Sequence, residues 1–82
     1  MKKTSQATKR NLVGGRVREA RLKAQPPISQ DDLAGRLAAR GISLDQTAIS
    51  RIECQARYVM DYEAVAIARA LKVSVAWLFG EK

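Results

Sequence analysis

The chain has no histidine and a single cysteine, and only four of its 82 residues are aromatic, one Trp, two Tyr and one Phe. Without imidazole it lacks the commonest general acid–base group and the commonest metal ligand. Cys54 has no partner for a disulfide and no companions for a metal cage. That sets aside disulfide-rich secreted mini-proteins and thiolate zinc sites. Long apolar runs are missing too: nothing approaches the ~20 residues of a membrane span. The basic start, Met1 to Arg10, is not followed by an apolar signal-peptide core. No nucleophile–base pair, metal cluster or phosphate-cradling glycine loop stands out. These absences predict a domain of the reducing cytoplasm that is not an enzyme, with no cofactor, no metal and no membrane partner.

Hydrophobic residues make up 46% of the chain, enough for the core of one small domain. Fifteen Lys and Arg face eight Asp and Glu, a net charge of +7. That excess is unevenly placed. Residues 1–28 carry eight cations against Glu19 alone, whereas residues 29–57 and 58–82 each balance. A basic first third attracts polyanions, nucleic acid first, or simply solubilises one face.

Met1–Arg10 is polar, basic and aperiodic, and reads as a flexible arm preceding a domain over 11–82. Asn11 can cap a helix that carries Val13, Val17, Ala20 and Ala24 on one stripe. Gly14 and Gly15 weaken its first turn by about 1 kcal/mol each relative to Ala. Pro26-Pro27 closes it. Four further helices begin with one local device, an apolar residue before a polar cap and another at the fourth helical position. The pairs are Ile28 and Leu33 around Ser29, Leu44 and Ile49 around Asp45, Met60 and Val65 around Asp61, Val73 and Leu78 around Ser74. Ser29 with Asp32 resembles a capping box, and Gly41 suits the C′ position. The expected helices are 11–24, 30–40, 46–56, 62–71 and 75–79, with no strand. The predicted fold class is all-α, a compact five-helix domain.

The third helix is the informative one. At ~100° per residue, Gln46, Thr47, Ser50, Arg51 and Cys54 share an arc of roughly 140°. Ala48, Ile49, Ile52 and Ala56 fall on the other side and should pack on the core. The exposed arc has no Lys/Glu ladder. Its groups suit base edges: Gln pairs with adenine N6/N7, Arg with guanine O6/N7, and the Thr methyl meets a thymine methyl. Gln46, Thr47, Ser50 and Arg51 are therefore candidate base readers, against the alternative of an ordinary solvated face. Ser43 offers a competing cap, with Gln46 folded back as a capping box. The Leu44–Ile49 pair favours Asp45 instead.

The run Ser29-Gln30-Asp31-Asp32-Leu33-Ala34, followed by Thr47-Ala48-Ile49-Ser50-Arg51-Ile52-Glu53, resembles the helix-turn-helix of the XRE (Cro/CI-repressor-like) family of transcription regulators. Residues 13–21 are similar to that family's first helix and residues 68–78 to its closing helices. The resemblance covers residues 12–80. It implies a lambda-repressor-like domain whose third helix enters the major groove of double-stranded DNA, working as a repressor and a homodimer on half-sites about one helical turn apart. It gives Gln30 and Arg57 to backbone phosphates, with Ser43 beside them. Arg21 and Glu53 become an internal ion pair between the first and third helices. Tyr58 goes to the core or a phosphate, and Trp77, with Leu78 and Phe79, to the core or a dimer interface. Cys54 is either inert or redox-sensitive. The chain departs from the family in three ways. The stretch from Leu33 to Ile49 is about five residues longer than the family's usual spacing, so helix two or the turn must lengthen. Pro26-Pro27 adds about two residues before helix two. Gln55 and Lys72 stand where glycine is usual, which predicts a third helix running on to 56. The rival reading is a protein-interaction module, such as an antitoxin-type or phage regulatory partner. Another is non-specific nucleic-acid binding through the arm.

Overall fold

In the computed structural model, which describes residues 9–81, five helices enclose one core. They are α1 (Gly14–Lys23), α2 (Gln30–Ala38), α3 (Gln46–Glu53), α4 (Asp61–Leu71) and α5 (Val75–Leu78). No strand occurs among the described residues. The arm assigned to residues 1–10 falls mostly outside them.

Helix starts follow the capping chemistry of the sequence. Ser29 Oγ accepts the Asp32 N–H at 2.9 Å, Asp45 Oδ1 the Ala48 N–H at 2.8 Å, and Ser74 Oγ the Trp77 N–H at 2.9 Å. Three of the four apolar pairs close as expected, with Ile28, Leu33, Leu44, Ile49 and Leu78 buried and Val73 packed against them. The fourth does not. Asp61 is already helical, Met60 stands at the cap position with its N–H on Glu63 Oε1 at 3.0 Å, and the Met60 side chain is exposed. Val59, not Met60, turns inward there. The Glu63 carboxylate satisfies an orphan N–H of this helix start, so the helix begins one residue early. At α1, Asn11 Oδ1 accepts the Val13 and Gly14 N–H groups, and helical hydrogen bonding starts only afterwards.

The ends of α2, α3 and α4 share one motif. At the α2 exit, Gly41 takes φ +82°, its N–H meets the Ala38 carbonyl and the Ile42 N–H meets that of Leu37. This is the Schellman pair, and Gly41 is its C′ residue. Gln55 and Lys72, both at φ 61°, terminate α3 and α4 by the same two bonds. The expectation that helix three runs to 56 is thus corrected: it ends at Glu53, and Ala56 is turned outward rather than into the core. The surplus between Leu33 and Ile49 goes into the turn, residues 39–45, instead of a longer helix.

Val17, Leu33, Leu37, Ile52, Ile67 and Leu78 are fully buried and form the centre of the core. α2 lies against α3 and α4, α1 crosses the same two helices, and α5 closes against α4 and α1. The Arg16 guanidinium sits 4.6 Å from the Trp77 ring centre and donates to the Trp77 carbonyl at 3.0 Å, fastening the last helix to the first. Trp77 is half-buried on the core side, and Phe79 is exposed.

The start of α1 meets the end of α3 at very short range. A Cβ on Gly14 would fall on the Ile52 carbonyl oxygen, with the Glu53 carbonyl and the Gln55 side chain close by. One residue on, Gly15 faces open space. Adjacent glycines should therefore respond oppositely. Gly14→Ala should destabilise the domain by about 1–3 kcal/mol through overpacking against backbone. Gly15→Ala should stabilise it by about 0.5–1 kcal/mol through helix propensity. Chemical denaturation of the two variants measures both.

Candidate nucleic-acid interface

α3 presents one polar face. Gln46, Thr47, Arg51 and Cys54 are exposed, Ser50 is half-buried, and Ile49 and Ile52 are buried on the opposite side. The four residues read as base-contacting thus share a surface, and no carboxylate interrupts it. With Asp45 as the cap, Gln46 is not drawn into a capping box with Ser43. Ser43 is exposed just before the helix.

Gln46 is instead the outer end of a hydrogen-bonded chain that reaches the interior. Glu53, its side chain 4% exposed, receives two parallel bonds from Arg21, Nε to Oε2 at 2.7 Å and Nη2 to Oε1 at 2.8 Å. The third nitrogen of Arg21 donates to the Ile28 carbonyl at 3.0 Å. Bonding to Glu53 holds the guanidinium even more firmly protonated than usual, against the opposing effect of burial. Gln30 then donates to Glu53 Oε1 at 3.1 Å, and Gln46 donates to Gln30 Oε1 at 2.6 Å. A carboxylate can only accept, so the direction of each amide follows from Glu53. Gln30 must turn its nitrogen inward and its oxygen outward, and Gln46 must donate to it. Gln46 is left with its oxygen and a second N–H, the pair that matches adenine N6 and N7.

Gln30 is therefore a bridge as well as the first residue of α2. Asp31 and Asp32 already occupy that first turn, where the helix dipole favours negative charge, so the helix start offers an incoming phosphate less than the Gln30 position alone implies.

Arg57, a phosphate candidate in sequence, is committed elsewhere. Its Nη1 donates to Glu63 Oε1 at 3.0 Å and to the Tyr58 carbonyl at 2.8 Å. The physical reason is Glu63, a carboxylate with 8% side-chain exposure that requires an opposite charge. Burial pushes the Glu63 pKa upward. The hydrogen bond from Arg57, the Met60 N–H and the Arg57 charge outweigh it, and the pKa lies below its ordinary 4.5.

The exit of α3 gathers residues to which the sequence reading gave other, separate roles. Asn11 Nδ2 donates to the carbonyls of Ile52 at 3.1 Å and Arg57 at 2.8 Å. Gln55 Nε2 donates to the Asn11 carbonyl at 3.0 Å, and the Arg10 N–H to the Gln55 carbonyl at 2.9 Å. Arg10, assigned to the arm, thus belongs to the folded domain. Its guanidinium lies 5.3 Å from the Tyr58 ring centre and donates to the Tyr58 hydroxyl at 3.3 Å. Tyr58 is 62% exposed, which removes it from the core. Arg10, Arg51, Cys54 and Tyr58 line a concavity of about 580 Å³ beside the polar face of α3, with no carboxylate on its wall. Only contacts across more than forty residues reveal this grouping, and no local pattern encodes them.

Among the described residues no helix is long and apolar enough to cross a membrane, and no group of three His, Cys, Asp or Glu could hold a metal ion. Comparison with protein-family models, curated proteins and solved structures gives no match for this chain.

Two expectations follow from the ion pairs. Glu53→Ala leaves Arg21 buried without its partner and should cost about 3–5 kcal/mol, visible as a large drop in the thermal unfolding midpoint. Replacing Arg21 and Glu53 together by Met and Leu should cost less than either single change. Glu63, with its folded pKa lowered, adds stability that is present above about pH 4.5 and is lost as pH falls through the folded value. Melting curves across that acid range should show the loss, and Glu63→Gln should flatten it.

Proposed function

We propose that the chain is a sequence-specific, double-stranded DNA-binding regulator of the XRE helix-turn-helix type, with a lambda-repressor-like arrangement of its helices. The observation that carries this reading is the polar arc of α3, whose Gln46 is oriented by a buried carboxylate through Gln30. A merely solvated helix face has no need of an inward-anchored amide. In this reading α3 enters the major groove, and Gln46, Thr47, Ser50 and Arg51 meet base edges. Arg10, on the wall of the concavity at the α3 exit, meets a backbone phosphate there, and Gln30 and Ser43 hold the strand at the other end of α3. Arg57 acts mainly by bracing the loop that follows α3.

The protein works as a repressor and as a homodimer on two-fold related half-sites. Exposed Met60 and Tyr62 at the start of α4 supply apolar surface for the second copy. Its role is binding and not catalysis, in the cytoplasm, without cofactor.

Selection of bound sequences from a random duplex library at fixed salt tests this reading. The wild type should enrich a two-fold motif. Arg51→Ala should relax one position in each half-site, at about 1–3 kcal/mol of lost discrimination. Absence of any enriched motif would sink the reading in favour of an interaction module.

A further inference from the structure

A second cationic surface lies at the far end of α2 from Gln30, with roughly 12 Å of helix between them. There the C-termini of α2 and α4 converge, and Arg36, Ala39, Arg40, Arg69, Ala70 and Lys72 line a concavity of about 450 Å³. Four of its six lining residues are cations and none is acidic. No described carboxylate lies within ion-pair distance of any of the four.

Part of this charge has a structural explanation. A helix C-terminus carries about half a negative charge, and basic residues in the last turn complement it. Arg36 does so directly, donating to the Ala70 carbonyl at 3.1 Å. Two helix ends together supply about one negative charge, so of the four cations about three positive charges are left over. Arg40, Arg69 and Lys72 are exposed and carry that surplus.

We infer that this concavity is a second binding site for the phosphodiester backbone of nucleic acid, separate from the α3 face. The lining decides the class of ligand. An acidic protein partner would be expected to bury an aromatic or large aliphatic anchor at the centre of its contact. Here the uncharged lining is Ala39 and Ala70 alone, and everything else is cationic. Arginine forks with only small residues between them suit phosphate oxygens, which are held by point contacts without base readout. The site is sequence-blind, and it lets the domain engage a second nucleic-acid segment while α3 is occupied.

The test uses the full chain carrying Thr47→Ala and Arg51→Ala, which lowers the contribution of the α3 face, and a random-sequence duplex as probe. Affinity is measured between about 50 and 200 mM salt. Adding Arg40→Ser and Arg69→Ser should weaken binding and reduce the slope of log affinity against log salt by about two. Lys72→Ser alone, as an independent variant, should reduce it by about one. All three positions are exposed, and unchanged thermal unfolding verifies that the variants are folded. Unaltered affinity and slope in both variants would overturn the site. So would a poly-glutamate peptide that binds the wild type more tightly than duplex does and loses that binding in the Arg40→Ser and Arg69→Ser variant. A wild type without sequence preference would defeat the proposed function and leave this result standing.

Discussion

One buried carboxylate organises this domain. Glu53 sits at the last turn of α3 with almost no access to water, and an unpaired charge there is far too costly to tolerate. Its demand is met by Arg21 from α1 and Gln30 from α2, so the three helices that build the candidate interface are tied to one atom group. Because the pair is bidentate, it fixes the angle of α1 across α3 as well as the distance. Gly14 then allows the backbones to approach where a side chain would hold them apart. The polar end of this assembly reaches the surface at Gln46, and a feature of the interior becomes a feature of the exposed face.

Charge in the folded molecule is distributed differently from charge along the chain. The basic first third contains Arg21, which is buried against Glu53, Arg16, which covers Trp77, and Lys23, which pairs with Glu19. Three of that segment's eight cations are thus engaged within the fold. Conversely, the two segments that balance in sequence place Arg36 and Arg40 beside Arg69 and Lys72. Counting along the chain identifies a basic protein; only the packing of α2 against α4 shows where its unanswered charge collects.

The legible parts of the fold are those set by neighbours in sequence. Ser29, Asp45 and Ser74 cap as their spacing predicts, because the cap oxygen and the N–H that donates to it lie three residues apart. The same rule misplaces the start of α4. Two local partners compete there, and Glu63 satisfies the Met60 N–H while Val59 takes the inward position. Glycine-free exits at Gln55 and Lys72 oppose local backbone preference, so propensity alone extends helix three too far. At Gln55 the cost is offset by bonds to Arg10 and Asn11, forty-four or more positions away in the chain. The exposed arc of α3 was readable from period and residue type. The phosphate assignments were less so, since Arg57 answers to a burial pattern in α4 that no motif records.

The lacing of Asn11 to the exit of α3 has a consequence for how the chain is made. Its bonds to Ile52, Gln55 and Arg57 join partners separated by 41 to 46 residues. During synthesis the first turn of α1 finds none of these partners until residue 52 has been made, and not all of them until residue 57 has followed. Closing so long a loop costs entropy that a short helix with two glycines cannot offset by itself. The start of α1 is thus secured only after α3, which is made later, is complete.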